Sequence, residues 1–145
     1  MVQKILIGAM LGVFGLAIST QVFAQAENRQ KFMKANSADA KAIKAAVEAK
    51  DYATVETKAK DIMGRADQIA LFPKGSKTGK TRAKAEIWEK SGDFVKTAKS
   101  LGKTAGELAA AAKNRDDAAV GVKFKELNDT CSSCHKEFRA AKYSE

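Results

Sequence analysis

The sequence predicts an all-α fold, an antiparallel four-helix bundle, and three observations carry that expectation. Apolar residues recur at steps of three and four in four separate stretches, no segment alternates like a strand, and the breaks between the stretches run short, long, short.

The first stretch carries Met33, Ala40, Ile43 and Val47. Residues three or four apart share one side of a helix, so such spacing gives a single stripe to bury. The second stretch, Tyr52, Val55, Ala59, Ile62, Ala66 and Ile69, climbs strictly by alternate threes and fours, with Asp51 placed to cap its first turn. The third runs Ile87, Phe94, Ala98, Leu101, Ala105, Leu108 and Ala112, where Ser91 and the alanines narrow the face and admit a close neighbour. The fourth holds Val120, Phe124, Leu127, Cys131, Cys134 and Phe138. "EAKD" separates the first two stretches and "KNRDD" the last two. Between the pairs lies "FPKGSKTGKTRAK", Phe72 to Lys84, with the only proline, Pro73, and Gly75 and Gly79, which predicts an exposed loop. Short connections join antiparallel neighbours, and heptad-like stripes pack at roughly 20°.

The N-terminus reads differently. Lys4 precedes an apolar run from Ile5 to Ile18, and "VFA" ends at Ala24. This is the pattern of a secretory signal, too short to span a bilayer. Residues 1–24 are therefore expected to be removed, leaving the bundle domain at 25–145, which is 145 − 24 = 121 residues and an exported, periplasmic location. One domain of that size has a modest core. Without Lys4 the balance is 25 − 17 = +8, spread as lysine along the chain. That charge favours anionic partners. The aromatic and arginine clustering of a nucleic-acid reader is missing, so nucleic acid is excluded. The alanine-heavy stripes leave the core thin, and something besides side chains should fill it.

"TCSSCHKEF", residues 130–138, holds both cysteines and the only histidine. Cys-x-x-Cys-His is the attachment sequence of a c-type haem: the two thiols add to the porphyrin vinyl groups and the imidazole ligates iron. On a helix Cys131, Cys134 and His135 project to one side and continue the buried stripe, so one covalently bound haem c would enter the core. The rival uses of such residues fit less well. A thioredoxin-like pair sits where a strand meets a helix, not inside a C-terminal helix. A structural zinc site needs four ligands, and no further Cys or His exists. A plain disulfide strains at helical spacing and leaves His135 without a role. With no nucleophile, base or second metal site beside the haem, no enzyme is expected.

A haem motif inside the last helix of such a bundle resembles the class II c-type cytochromes, the cytochrome c′ family, a standing example of the up-down bundle. The resemblance covers the mature chain through "RQKFM", the passage "LFP…GS…AEIW…F" and "CSSCHKEFR". It implies that the residue four after Arg29, which is Met33, faces the haem opposite His135. In the low-spin branch of the family, which "RQKFMKAN" is most like, this methionine binds iron. Thioether ligation favours ferrous iron and suits an electron-transfer protein. In five-coordinate members a methionine at that place leaves iron open to nitric oxide or carbon monoxide, and a methionine on a helical stripe is also ordinary core filler. The resemblance further implies that Arg29 pairs with a haem propionate and that Arg139, four residues after His135, covers the ring edge. Arg29 reads equally as a solvated arginine. Trp88 and Phe94 pack on the haem or anchor the third helix; Phe138 and Met63 read as core. Redox partner proteins with an acidic docking face would suit the basic surface, and the resemblance admits a homodimer through the first two helices.

Overall fold

The computed structural model describes residues 14–70 and 80–144. In chain order the elements are α1 (Phe14–Glu48), α2 (Tyr52–Ile69), β1 (Thr81–Ala83), α3 (Glu86–Glu89), α4 (Ser91–Lys113), α5 (Asp117–Phe138) and β2 (Arg139–Ser144). The four long helices form the bundle. α4 packs on α2 and α5, α1 packs along α2, and α1 touches α5 only sparsely. No helix among the described residues is long and apolar enough to cross a membrane. Of the predicted signal, residues 1–13 lie outside the described ones and the rest belongs to α1.

The two short connections are built alike. At the end of α1 the Lys50 amide donates to the Val47 carbonyl at 3.2 Å and the Asp51 amide to the Ala46 carbonyl at 2.8 Å. At the end of α4 the Arg115 amide donates to Ala112 at 3.0 Å and the Asp116 amide to Ala111 at 3.1 Å. Both are Schellman closures, which need a left-handed residue next to last. Lys50 (φ 56°) and Arg115 (φ 52°) take that place instead of the usual glycine. In each case the following aspartate caps the next helix: Asp51 accepts from the Thr54 amide at 3.1 Å and Asp116 from the Ala119 amide at 3.0 Å. Lys50 Nζ and Tyr52 OH both reach the Asp117 carboxylate, at 2.7 and 3.1 Å, so the two turns are tied together at one end of the bundle.

On α2, α4 and α5 the predicted stripes supply the buried residues, whereas on α1 only Ile43 of the predicted stripe is buried and Asn36, Asp39 and Ala46 are buried beside it. Val55, Ala59, Ile62, Ala66 and Ile69 of α2 are all buried, as are Phe94, Ala98, Ala105, Leu108 and Ala112 of α4 and Val120 and Leu127 of α5. Small residues bring α2 and α4 close: a Cβ added to Gly102 would stand 3.1 Å from the Ala66 Cβ.

Four expectations need correction. Ile87 is not on the third long helix but on the separate single turn α3, because Lys90 leaves helical geometry (φ −113°, ψ 46°). The predicted loop from Phe72 to Lys84 contains a strand: its residues 72–79 lie outside the described ones, but Thr81–Ala83 pairs antiparallel with Arg139–Ser144, Thr81 opposite Ser144 and Ala83 opposite Arg139 with an irregularity between. A strand of three residues is too short to display alternation. Arg139 consequently lies beyond the end of α5, in extended geometry, and not one turn further along it. Met63 is 42% exposed rather than core. Its sulfur lies over Gly106, 3.1 Å from where a Cβ there would be.

Candidate functional site

The core divides in two. One cluster, around Ile43, Val55, Ile62, Leu108, Val120 and Leu127, fills the end with the two short turns. The other, Ile69, Ile87, Phe94, Ala98 and Phe138, sits at the opposite end with Phe32, Met33, Trp88 and Cys134 against it. Phe94 meets Phe138 edge to face, ring centroids 5.1 Å apart.

Two adjoining cavities open at this second end. One, of about 350 Å³, is lined among others by Arg29, Met33, Arg82, Phe94, Cys134, His135 and Arg139. The other, of about 570 Å³, is lined among others by Met33, Asn36, Ala40, Ile69, Leu101, Phe124, Cys131, Cys134 and His135. Met33, Ser37, Cys134 and His135 border both. The core does leave a real volume, and it lies where the Cys-x-x-Cys-His residues stand; of the stripe alanines Ala40 and Ala98 line it, whereas Ala59, Ala105 and Ala112 pack the opposite end.

α5 delivers these residues. The helical step places Cys131, Cys134 and His135 toward the cavities together, as the spacing predicts. Both cysteines are free and half-buried. Burial raises the Cys131 thiol, and burial with the neighbouring Cys131 and Glu137 pushes Cys134 up to about 11. Such thiols stay protonated at neutral pH, the reverse of a redox-active Cys pair. Burial, then Arg139 and Arg82, lowers the pKa of His135 and keeps the imidazole neutral, with a lone pair to offer a metal. Arg29 is 6% exposed, and burial lowers its pKa. The reading of Arg29 as a solvated arginine is therefore wrong. Its α-helical neighbour Gln30 donates through Nε2 to the Lys80 carbonyl at 3.3 Å.

Other residues were not legible in the sequence. Arg82 reaches the first cavity from β1, anchored through Nε to the Ala140 carbonyl at 2.7 Å. Lys84 clasps the end of α5, its Nζ donating to the Glu137 carbonyl at 2.6 Å and its amide to the Phe138 carbonyl at 3.1 Å. No local pattern announces a contact between segments more than fifty residues apart. Trp88 packs on the second cluster but borders neither cavity, so it anchors α3, whereas Phe94 lines the first cavity. Among the described residues no group of three or more His, Cys, Asp or Glu could hold a metal unaided.

A large cavity, two protonated thiols one helical turn apart and a neutral imidazole beside the second thiol fit a porphyrin that brings its own iron. Cys131 and Cys134 would take the thioether bonds and His135 an axial position, and the haem supplies a redox-active iron with a face for a further ligand. Together they define a c-type haem protein built on a four-helix bundle.

The comparisons with known proteins identify it more closely. The profile of the family described as Cytochrome C' matches residues 24–139, and the chain belongs to that family, whose members bind haem c covalently. It is 46% identical over 72 residues to the cytochrome c′ of Rhodospirillum rubrum, a match covering 49% of this chain and 49% of that protein. In that alignment the chain spans about half the length of its relative. Among solved structures, cytochrome c′ of Thermochromatium tepidum is 31% identical with a TM-score of 0.76, covering 82% of this chain and 96% of that one. A cytochrome c′ described as having an unusual ligand-controlled dimer dissociation is 30% identical with a TM-score of 0.74, covering 82% and 96%.

Proposed function

We propose that this chain is an exported monohaem cytochrome c′ whose iron, held by His135, binds a small neutral gas, nitric oxide or carbon monoxide, on a face bordered by Met33. One observation carries the reading. The interior of the second cavity is mostly apolar, formed by Met33, Ala40, Ile69, Ala98, Leu101 and Phe124 with buried Asn36 and half-buried Thr97 and Thr130 beside them, while Ser37, Lys41, Lys44 and Asn128 are exposed at its mouth. Polarity, hydrogen-bond donors and steric access decide what a haem pocket does with a ligand. This chain has one histidine in all, so no second imidazole stabilises bound dioxygen. Nitric oxide and carbon monoxide ask for no such donor. The 30% identical relative whose dimer dissociates under ligand control supports the same reading, and a homodimer that responds to the gas belongs to the proposal.

Met33 borders both cavities beside His135, which favours a second reading: an electron-transfer protein with Met33 as sixth ligand, exchanging electrons with partner proteins acidic at their docking face. Neither reading makes the chain an enzyme. Optical spectra of the purified holoprotein separate them. A high-spin ferric spectrum, with ferrous protein taking up carbon monoxide equimolar with haem, is expected. A low-spin ferric spectrum with the weak far-red sulfur-to-iron band, abolished in Met33→Ala, establishes the carrier instead. Mature protein beginning at Gln25 and heavier than its polypeptide by one haem is expected from a host that matures cytochromes. The mass of the bare polypeptide would sink both readings.

A further inference from the structure

A polar group lies buried in the seam between α1 and α2. Arg65 of α2 donates through Nε to Asn36 Oδ1 at 2.7 Å and through Nη2 to Asp39 Oδ2. Lys58 approaches the other oxygen of Asp39 at 3.3 Å and also pairs with Asp61 at 3.1 Å. Asn36 and Asp39 are 9% and 8% exposed. Removing these groups from water costs much of what their pairing returns, so the network adds little net stability. What it adds is geometric. An arginine fork holding two side chains one helical turn apart fits a single register, whereas the alanine and valine methyls of the same seam tolerate a small slide or rotation.

The network sits at a consequential place. Asn36 comes one turn after Met33 and lines the same cavity as Met33 and His135. α1 runs along α2 but barely meets α5, the helix that carries His135. The wall bearing Met33 is therefore held across the cavity by its seam on α2. We infer that Arg65, by gripping Asn36 and Asp39, is a positioning residue that fixes how far Met33 stands from iron held by His135, and so sets ligand access to that face. The inference rests on the proposed function and deepens it.

Carbon monoxide association with the ferrous holoprotein tests it, measured for wild type, Arg65→Met, Met33→Ala and the double variant. Freed of its fork, α1 relaxes and Met33 crowds the iron less. Arg65→Met is therefore expected to bind carbon monoxide about threefold faster or more, the low end of the coupling found between residues of one network. Met33→Ala should also speed binding, and in the Arg65→Met background it should add little. Hydrogen exchange at the amides of residues 33–36 should quicken in Arg65→Met. Lys60→Met, which removes an exposed lysine paired with Glu56 on the same helix, should leave the rate at the wild-type value. Where Arg65→Met yields too little loaded protein, Arg65→Lys keeps a charge on Asp39 without the fork and carries the same expectation. Loaded Arg65 variants with wild-type association rates, or strictly additive effects of Arg65 and Met33, overturn the inference alone. Haem-loaded wild type that takes up no carbon monoxide overturns the proposed function, and the inference with it.

Discussion

The two ends of this bundle use the same kind of stripe for opposite purposes. At the end with the short turns, Ile43, Ile62, Leu108, Val120 and Leu127 meet at 2% exposure or less, and the turns above them are capped twice over and tied through Asp117. At the other end the same four helices border two cavities, and Cys131, Cys134, Met33 and Ala98 of the stripes face them or pack beside them. Side-chain size by itself does not make the difference: six of the twelve buried residues at the closed end are alanines, whereas Ile69, Ile87, Phe94 and Phe138 stand at the open end with one alanine, Ala98. Periodicity makes a helix bury a face; alanines on that face let the neighbours close, and bulkier side chains at the other end stand around the room that is left. The open end is then held by contacts that lie outside the bundle proper, the β1–β2 pair and the clasp of Lys84 on α5.

Breaking the closed end should cost most. Leu108 is fully buried, and Leu108→Ala is expected to lower unfolding free energy by about 2–5 kcal/mol. Denaturant unfolding of the holoprotein measures this, and the haem spectrum of the folded variant should match wild type, because Leu108 borders neither cavity. A spectrum altered as much as the stability would show that the two ends are not independent.

A smaller effect of opposite sign is expected at the turn. Arg115 holds a left-handed conformation that disfavours any residue with a Cβ, by roughly 1–2 kcal/mol. Glycine at that place is free of this cost but loses more freedom on folding, so Arg115→Gly should raise stability by about 1 kcal/mol or less. A destabilised variant would mean that the arginine side chain contributes more than the strain it carries.

The smallest effect is a pH dependence confined to the closed end. A hydrogen bond from the Thr54 hydroxyl, reinforced by its amide, lowers the pKa of Asp51; hydrogen bonds from Lys50 and Tyr52 lower that of Asp117. A carboxylate whose folded pKa lies below its unfolded value stabilises the fold above that unfolded value, near 3.8. The contribution is lost as pH falls through the lower folded value. The protection of amides in the first turns of α2 and α5, measured against the exchange rate of an unstructured chain at the same pH, should therefore fall on acidification through and below pH 3.8. The Asp117→Asn variant should lose its part of that dependence.

Much of the molecule was legible along the chain. The four stripes, the cap at Asp51, both short connections and the grouping of Cys131, Cys134 and His135 on one side of a helix all follow from spacing and local hydrogen-bonding chemistry, because each involves residues within a turn or two of one another. Room in the core was also expected, from the alanines in the stripes, although most of the buried alanines pack the closed end. Where that room would lie was not legible.

Tertiary structure decided the rest, and for one physical reason. A contact between distant segments imposes no period on either of them. Nothing near Arg82 announces that it will meet the tail after α5, nothing in "YATVETKAKDIMGRADQI" marks Arg65 as the partner of Asn36 and Asp39, and the departure of Arg139 from helical geometry follows from a strand nearly sixty residues earlier. Spacing along the chain thus set the buried face of α2, α4 and α5 and the chemistry the last helix carries, whereas the assembled bundle alone decided which charges stand around the imidazole and which partners α1 meets along α2.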